Sequence, residues 1–87
     1  MTKSPFKKHR DILLDHYGAA QFLRLFTLSM WNGSAFPIGL SWMGRLDEKH
    51  GKIMQELFCH YCEYGENDDA FMSVARECAD LYEKEKV

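Results

Sequence analysis

A chain of 87 residues that is 46% hydrophobic and 14% aromatic has the composition of one globular domain, since two would leave neither enough apolar surface to offset its ordering entropy. Long disorder is excluded by the same figures. The net charge of −2 is unevenly spread, with +4 over residues 1–10 and −6 over residues 53–87, so a basic start and an acidic end are the main electrostatic features.

Ser4-Pro5 reads as a helix opening, because Ser caps free amides and Pro at the first helical position forfeits no hydrogen bond. Phe6, Leu13, Leu14 and Tyr17 are the apolar residues of the helix that follows, and Gly18 is expected to stop it. The second segment, AAQFLRLFTLSMW, sets Phe22, Leu23, Phe26 and Met30 on one face and leaves Gln21, Arg24 and Thr27 as a narrow polar strip. So narrow a strip places this helix at the centre of the fold. Asn32-Gly33 should end it, in the left-handed conformation both residues tolerate.

Residues 33–46 form a connector in which Leu40 to Leu46 suits one short helical turn. Asp47 then caps a helix bearing His50, Ile53, Met54, Leu57, Phe58, Tyr61 and Tyr64, with Gly65 as its stop. Asn67 or Asp68 caps a last helix with Phe71, Val74, Ala75, Cys78, Leu81 and Tyr82 along its stripe. The expected fold is an all-α single domain over residues 1–87, with four main helices, a short turn in the connector and frayed ends at 1–4 and 84–87.

The run from Gly18 to Gly44 is nearly uncharged, but Arg24, Asn32-Gly33 and Pro37 break it and it does not read as a membrane span. The first ten residues lack the apolar core of a signal peptide, and three cysteines is an odd count. A cytoplasmic protein with reduced thiols is the expectation.

Chemistry-bearing patterns are few. Cys59 and Cys62 have the spacing of half a zinc site, with Cys78 and His50 as further weak candidates, but structural zinc takes four ligands and no second tight pair exists. The pair falls late in a helix, away from the N-terminus that activates redox thiols. Cys62 and Cys78 coincide with apolar stripes, so packing is the expected role and no cofactor is assigned. Asp47 and His50, three apart, share a helical face, and helix-cap geometry with a partly buried His accounts for them. No Gly-flanked nucleophile and no phosphate loop occurs, and no enzymatic activity is expected. Lys3, Lys7, Lys8 and Arg10 offer phosphate contacts to a nucleic acid, while Glu77, Asp80 and Glu83 make an acidic strip suited to a basic partner or simply to solvent.

The stretch GAAQFLRLFTLSMWNGSAFPIGLSWMGRLD carries a family resemblance, through Trp31, Asn32, Gly33, Phe36, Pro37, Leu40, Leu46 and Asp47. An aromatic-Asn-Gly helix end, then Phe-Pro, a Leu three residues on and a helix-opening Leu-Asp is similar to an uncharacterised family of small proteins from bacterial plasmids, integrative elements and phages. The resemblance implies a cytoplasmic protein of a mobile genetic element and no catalytic residue. The stretch reads first as a rigid connector, with Phe36 and Pro37 plugging the bundle end and Leu40 and Leu46 packed over the central helix. Trp42 and Arg45, with Trp31, are the residues expected to meet a partner, because large aromatics are hard to hide in so small a core.

The expected function is a non-enzymatic accessory protein that binds a host protein or complex, as inhibitor or adaptor of a defence system. A nucleic-acid-associated helical protein using the basic start and a small metal-binding protein using Cys59 and Cys62 are the alternatives. Homo-oligomerisation is left open by the sequence.

Overall fold

The computed structural model describes residues 4–86, which form helices and connecting turns with no strand among them. The helices are α1 (Pro5–Lys8), α2 (Arg10–Leu13), α3 (Gly18–Trp31), α4 (Glu48–Tyr64) and α5 (Asp69–Lys86). Short 3-10 turns cover Leu40–Arg45, in the connector, and Gly65–Asn67. α3 and α1 each pack against both α4 and α5, and α2 packs against α3.

The N-terminal helix is shorter and more broken than its sequence pattern suggests. Ser4 accepts from the Phe6 amide at 3.3 Å as N-cap, as its type predicts. His9 then leaves helical geometry at φ −104° and ψ 16°, dividing the segment into two single turns that bury Phe6 and Leu13 on different neighbours. Helical structure ends at Leu13, and Gly18 opens α3 instead of stopping the helix before it. At the other end α5 continues to Lys86, while Lys3 lies outside the described residues.

α3 is the central helix, and its polar strip is not a strip to water. Thr27 is fully buried with its hydroxyl donating to the Leu23 carbonyl at 3.0 Å, and Arg24 is only 3% exposed. The Arg24 guanidinium is held by the carbonyls of Asp15, at 3.0 Å, and Leu13, at 3.5 Å. Leu13 is the last residue of α2 and Asp15 lies two beyond it, where no further helical turn follows to donate amides to these carbonyls. The segment between α2 and α3 therefore closes over Arg24 and supplies the acceptors its burial requires. No buried side-chain nitrogen or oxygen among the described residues lacks a partner.

Asn32 ends α3 at φ −153°, and among the described residues Gly65 is the sole glycine with positive φ, at +52°, so the left-handed stop expected at Asn32-Gly33 is absent. The chain turns there through local bonds instead. The Asn32 carbonyl accepts from the Phe36 amide at 3.1 Å and its side chain from the Ala35 amide at 3.4 Å. At Gly65 the expectation of a glycine stop is met.

Core packing follows the apolar stripes. Phe6, Leu13, Leu23, Leu28, Leu57, Phe71 and Cys78 are fully buried, each large apolar side chain contributing roughly 1.5–3 kcal/mol by leaving water. Phe6 meets Phe71 edge-on at 4.8 Å between centroids, and Tyr61 lies 5.0 Å from Phe71 while donating its hydroxyl to the Met30 carbonyl at 3.0 Å. Phe36 is buried between Trp31 and Tyr82 and plugs one end as expected, whereas Pro37 is exposed. Phe58 and Tyr64, read from periodicity as stripe residues, face outward, because the buried arc of α4 is set by His50, Ile53, Met54 and Leu57.

Candidate functional site

The connector holds the most unusual surface. Its 3-10 turn buries none of its six residues: Leu40 is 53% exposed, Trp42 53% and Met43 46%. Leu40 therefore does not pack over α3 as expected, although Leu46 does reach the core. A six-residue 3-10 turn has too few inward positions to hide three large side chains once Ile38 and Leu46 anchor its flanks. The Arg45 guanidinium lies 4.4 Å from the Trp42 ring centroid, a cation–π contact that holds the indole in place at the surface.

Beside this turn lies an open groove of about 410 Å³ lined by Phe22, Leu25, Ile38 and Trp42, with Gly18, Gln21 and Gly39 completing it. No charged side chain lines it. Trp42 is common to turn and groove, so the two form one continuous apolar surface. Trp31 is half-buried, stacked at a tilt 6.3 Å from Phe36, and belongs to the bundle end rather than to the groove lining.

A second arrangement joins the Asp47–His50 cap expected from spacing to Tyr17, a partner that spacing does not reveal. Asp47 caps α4, its Oδ1 accepting from the His50 amide at 2.9 Å and from His50 Nδ1 at 2.6 Å. With Nδ1 protonated towards the carboxylate, His50 Nε2 is left to accept the Tyr17 hydroxyl proton at 2.8 Å. The Asp47 carboxyl is held below the ordinary value, first by the amide and then by the imidazole. Carboxylate, imidazole and hydroxyl stand in the order of a nucleophile with its base and orienting group. Yet burial, then the charges of Asp15 and Asp47, push the Tyr17 phenol up, so it keeps its proton and acts as a strap from the α3 N-terminus to α4.

A groove of about 780 Å³ opens between α1 and the second half of α4, with Lys8, Glu56, Cys59, His60, Glu63 and Asp68 among its lining. Asp68, rather than Asn67, caps α5, accepting from the Ala70 amide at 3.1 Å. Its other oxygen accepts from Ser4 Oγ at 2.7 Å and from His60 Nε2 at 2.9 Å. Serine and histidine both donate to the carboxylate instead of to each other, an order that generates no nucleophile.

The two charged ends meet. Arg10 makes a two-point pair with Glu77, its Nε 3.1 Å from Oε1 and its Nη2 bonded to Oε2, and the hydrogen bond and charge of Glu77 push the Arg10 pKa up. Glu56 takes His9 at 3.0 Å and Lys8 at 3.8 Å. Of the basic residues named from sequence, Lys7, Lys8 and Arg10 are all exposed, the last two beside acidic partners, while Asp80 and Glu83 of the acidic strip face outward. The expected packing role fits Cys78, whose thiol burial pushes up to about 12. It does not fit Cys59 or Cys62, which are both free and exposed because they lie outside the buried arc of α4. Among the described residues no group of three or more His, Cys, Asp or Glu is placed to hold a metal ion, and no helix is long and apolar enough to cross a membrane.

The fold and its surface define a small all-α domain with an apolar patch on one connector. No protein-family model, curated protein or solved structure matches the chain.

Proposed function

We propose that this chain is a non-enzymatic binding protein that works by protein contact through the turn at residues 40–45 and the groove beside it. The observation that carries the reading is the joint exposure of Leu40, Trp42 and Met43 next to a groove with no charged lining. A contiguous apolar patch of this kind on a small protein marks an interaction site, and an exposed Trp stacked with an Arg has the composition of an interface anchor. The partner class follows from the motif resemblance: a host protein or complex engaged by a mobile element's accessory protein, with a defence complex as the intended target.

The nucleic-acid reading draws less support, because Arg10 is committed to Glu77 and Lys8 lies beside Glu56. The test is affinity capture from host cytoplasm with the wild-type chain and Trp42→Ala in parallel, read by quantitative mass spectrometry. A partner retained by the wild type and lost with Trp42→Ala is the expected result. Equal recovery by both proteins rejects the patch as the contact.

A further inference from the structure

Asn32-Gly33 makes no left-handed stop and lies outside the turn at residues 40–45, so neither capping nor the contact surface accounts for the pair. Asn32, Gly33, Ser34 and Ala35 are all exposed. Asn32 has left helical geometry, at φ −153° and ψ 83°, and the Gly33 amide donates to no acceptor among the described residues. The Ala35 amide donates to the Asn32 side-chain oxygen at 3.4 Å, which keeps the carboxamide over the turn that carries the Gly33 nitrogen. We infer that Asn32 is a site of spontaneous covalent modification, at which the Gly33 nitrogen closes on the carboxamide and the asparagine becomes isoaspartate.

The chemistry needs only water. Hydroxide takes the Gly33 amide proton, and the nitrogen adds to Asn32 Cγ. The Cγ–Nδ2 bond then breaks, and ammonia leaves with a proton from water, which returns the hydroxide. Water next opens the resulting cyclic imide at one of its two carbonyls. Opening at the side-chain carbonyl gives aspartate in an ordinary main chain. Opening at the main-chain carbonyl routes the chain through Cγ and leaves the former main-chain carbonyl as a free carboxylate. During the attack negative charge gathers on Oδ1, where the Ala35 N–H is already aimed, and Gly33 has no Cβ to obstruct the approach. The other asparagine is poorly placed for the same step. Asn67 is followed by Asp68, whose Cβ crowds the attacking amide and whose N–H is directed at the Gly65 carbonyl, 3.5 Å away.

The product changes the end of the bundle. The Asn32 main-chain oxygen accepts from the Phe36 amide at 3.1 Å, and Phe36 is buried with its ring 6.3 Å from Trp31 and 5.3 Å from Tyr82. In the isoaspartyl form that oxygen belongs to a free carboxylate, and the path to Phe36 is longer by a methylene. The new negative charge sits at the C-terminal end of α3, where the helix dipole disfavours it and no basic residue lies in the last turn. Ageing at Asn32 therefore loosens the Phe36 plug.

The full chain, incubated for days at neutral and mildly alkaline pH both folded and in urea, tests this by peptide mapping with fragmentation that separates isoaspartate from aspartate. The folded protein should gain isoaspartate at residue 32 at a rate within about tenfold of the unfolded chain, faster as hydroxide rises, with Asn67 intact. Its isoaspartyl fraction, isolated by ion exchange, should melt below fresh protein. Asn32→Ser keeps a side-chain oxygen for the Ala35 amide but has no carboxamide to attack, and its melting temperature should hold over the same days. Folding that slows the modification by more than about tenfold, or modification arriving first at Asn67, overturns the inference. So does an isoaspartyl fraction that melts with fresh protein.

Discussion

Ser4 and Asp68, 64 residues apart, are joined by a 2.7 Å hydrogen bond from the serine hydroxyl to the carboxylate. Each is also the N-cap of its own helix, Ser4 for α1 and Asp68 for α5, so one bond ties two helix starts together, and His60 of α4 donates to the same oxygen. Removing the acceptor undoes all three attachments. Asp68→Ala should therefore cost about 2–3 kcal/mol, combining a lost cap with lost charge-assisted bonds, against about 1 kcal/mol for Ser4→Ala. Urea denaturation measures both. A double-mutant cycle between Ser4 and Asp68 that gave no coupling would reject the link.

Two glycines, one inside α4 and one at its end, should respond oppositely to alanine. Gly51 lies inside the helix with open space where a Cβ would go, and Gly65 ends the helix at φ +52°. Gly51→Ala is expected to stabilise by about 0.5–1 kcal/mol through a lower unfolded-state entropy and better helix propensity. Gly65→Ala should destabilise by about 1–2 kcal/mol, because an L-residue is strained there. Thermal melts of the two variants should move in opposite directions.

Trp42→Ala should lower stability by less than about 1 kcal/mol, whereas Phe6→Ala, which empties a fully buried site, should cost about 3–5 kcal/mol. The same Trp42 change should weaken partner binding by more than about 1–2 kcal/mol. Melting and binding measured on one preparation decide the matter: a large loss of melting temperature would make Trp42 a core residue.

The three thiols should divide two to one. Cys59 and Cys62 are exposed and Cys78 is buried, so a thiol reagent should titrate two groups in the folded protein and the third only on unfolding. The raised Cys78 pKa adds a pH signature. Below the ordinary thiol value of 9.0 the group is protonated in both states and its contribution is complete. From there to about 12 only the unfolded chain releases the proton, and stability falls by about 1.4 kcal/mol per pH unit. Cys78→Ala should flatten that alkaline slope. An unchanged slope would mean that the thiol is accessible.

Asp47 works in the opposite sense. Its carboxyl is depressed below the ordinary 3.8 by the amide and imidazole of His50, so its contribution is full above 3.8 and disappears as pH falls through the folded value. Asp47→Asn should remove this part of the acid sensitivity, seen as a smaller difference between stabilities at neutral and acid pH. An unaltered acid transition would place the effect elsewhere.

Local signals were legible in the sequence and distant ones were not. Ser4-Pro5, Asp47 with His50 three residues on, and Gly65 are caps and stops written within one turn of helix, and each appears in the structure. Tyr17 reaches His50 across 33 residues and Arg10 reaches Glu77 across 67, and no periodicity announces such pairs. Arg24 shows the same limit. Its place on a narrow polar strip is readable, and only the path of residues 13–15 reveals carbonyls turned inward to receive it. The exposed turn was readable as an aromatic-rich connector, but its groove is built from α3 and the connector together and required the fold.

The attachments of the first helix also set a schedule. Phe6 is covered by Phe71, Ser4 is held by Asp68 and Arg10 by Glu77, and all three partners are made long after the residues they receive. At roughly 5–20 residues per second of synthesis, the 64 residues between Ser4 and Asp68 take about 3 to 13 s to appear. For those seconds Phe6 has α4 and His60 beside it but lacks the Phe71 ring, and the attachments of the first helix are completed only when α5 arrives.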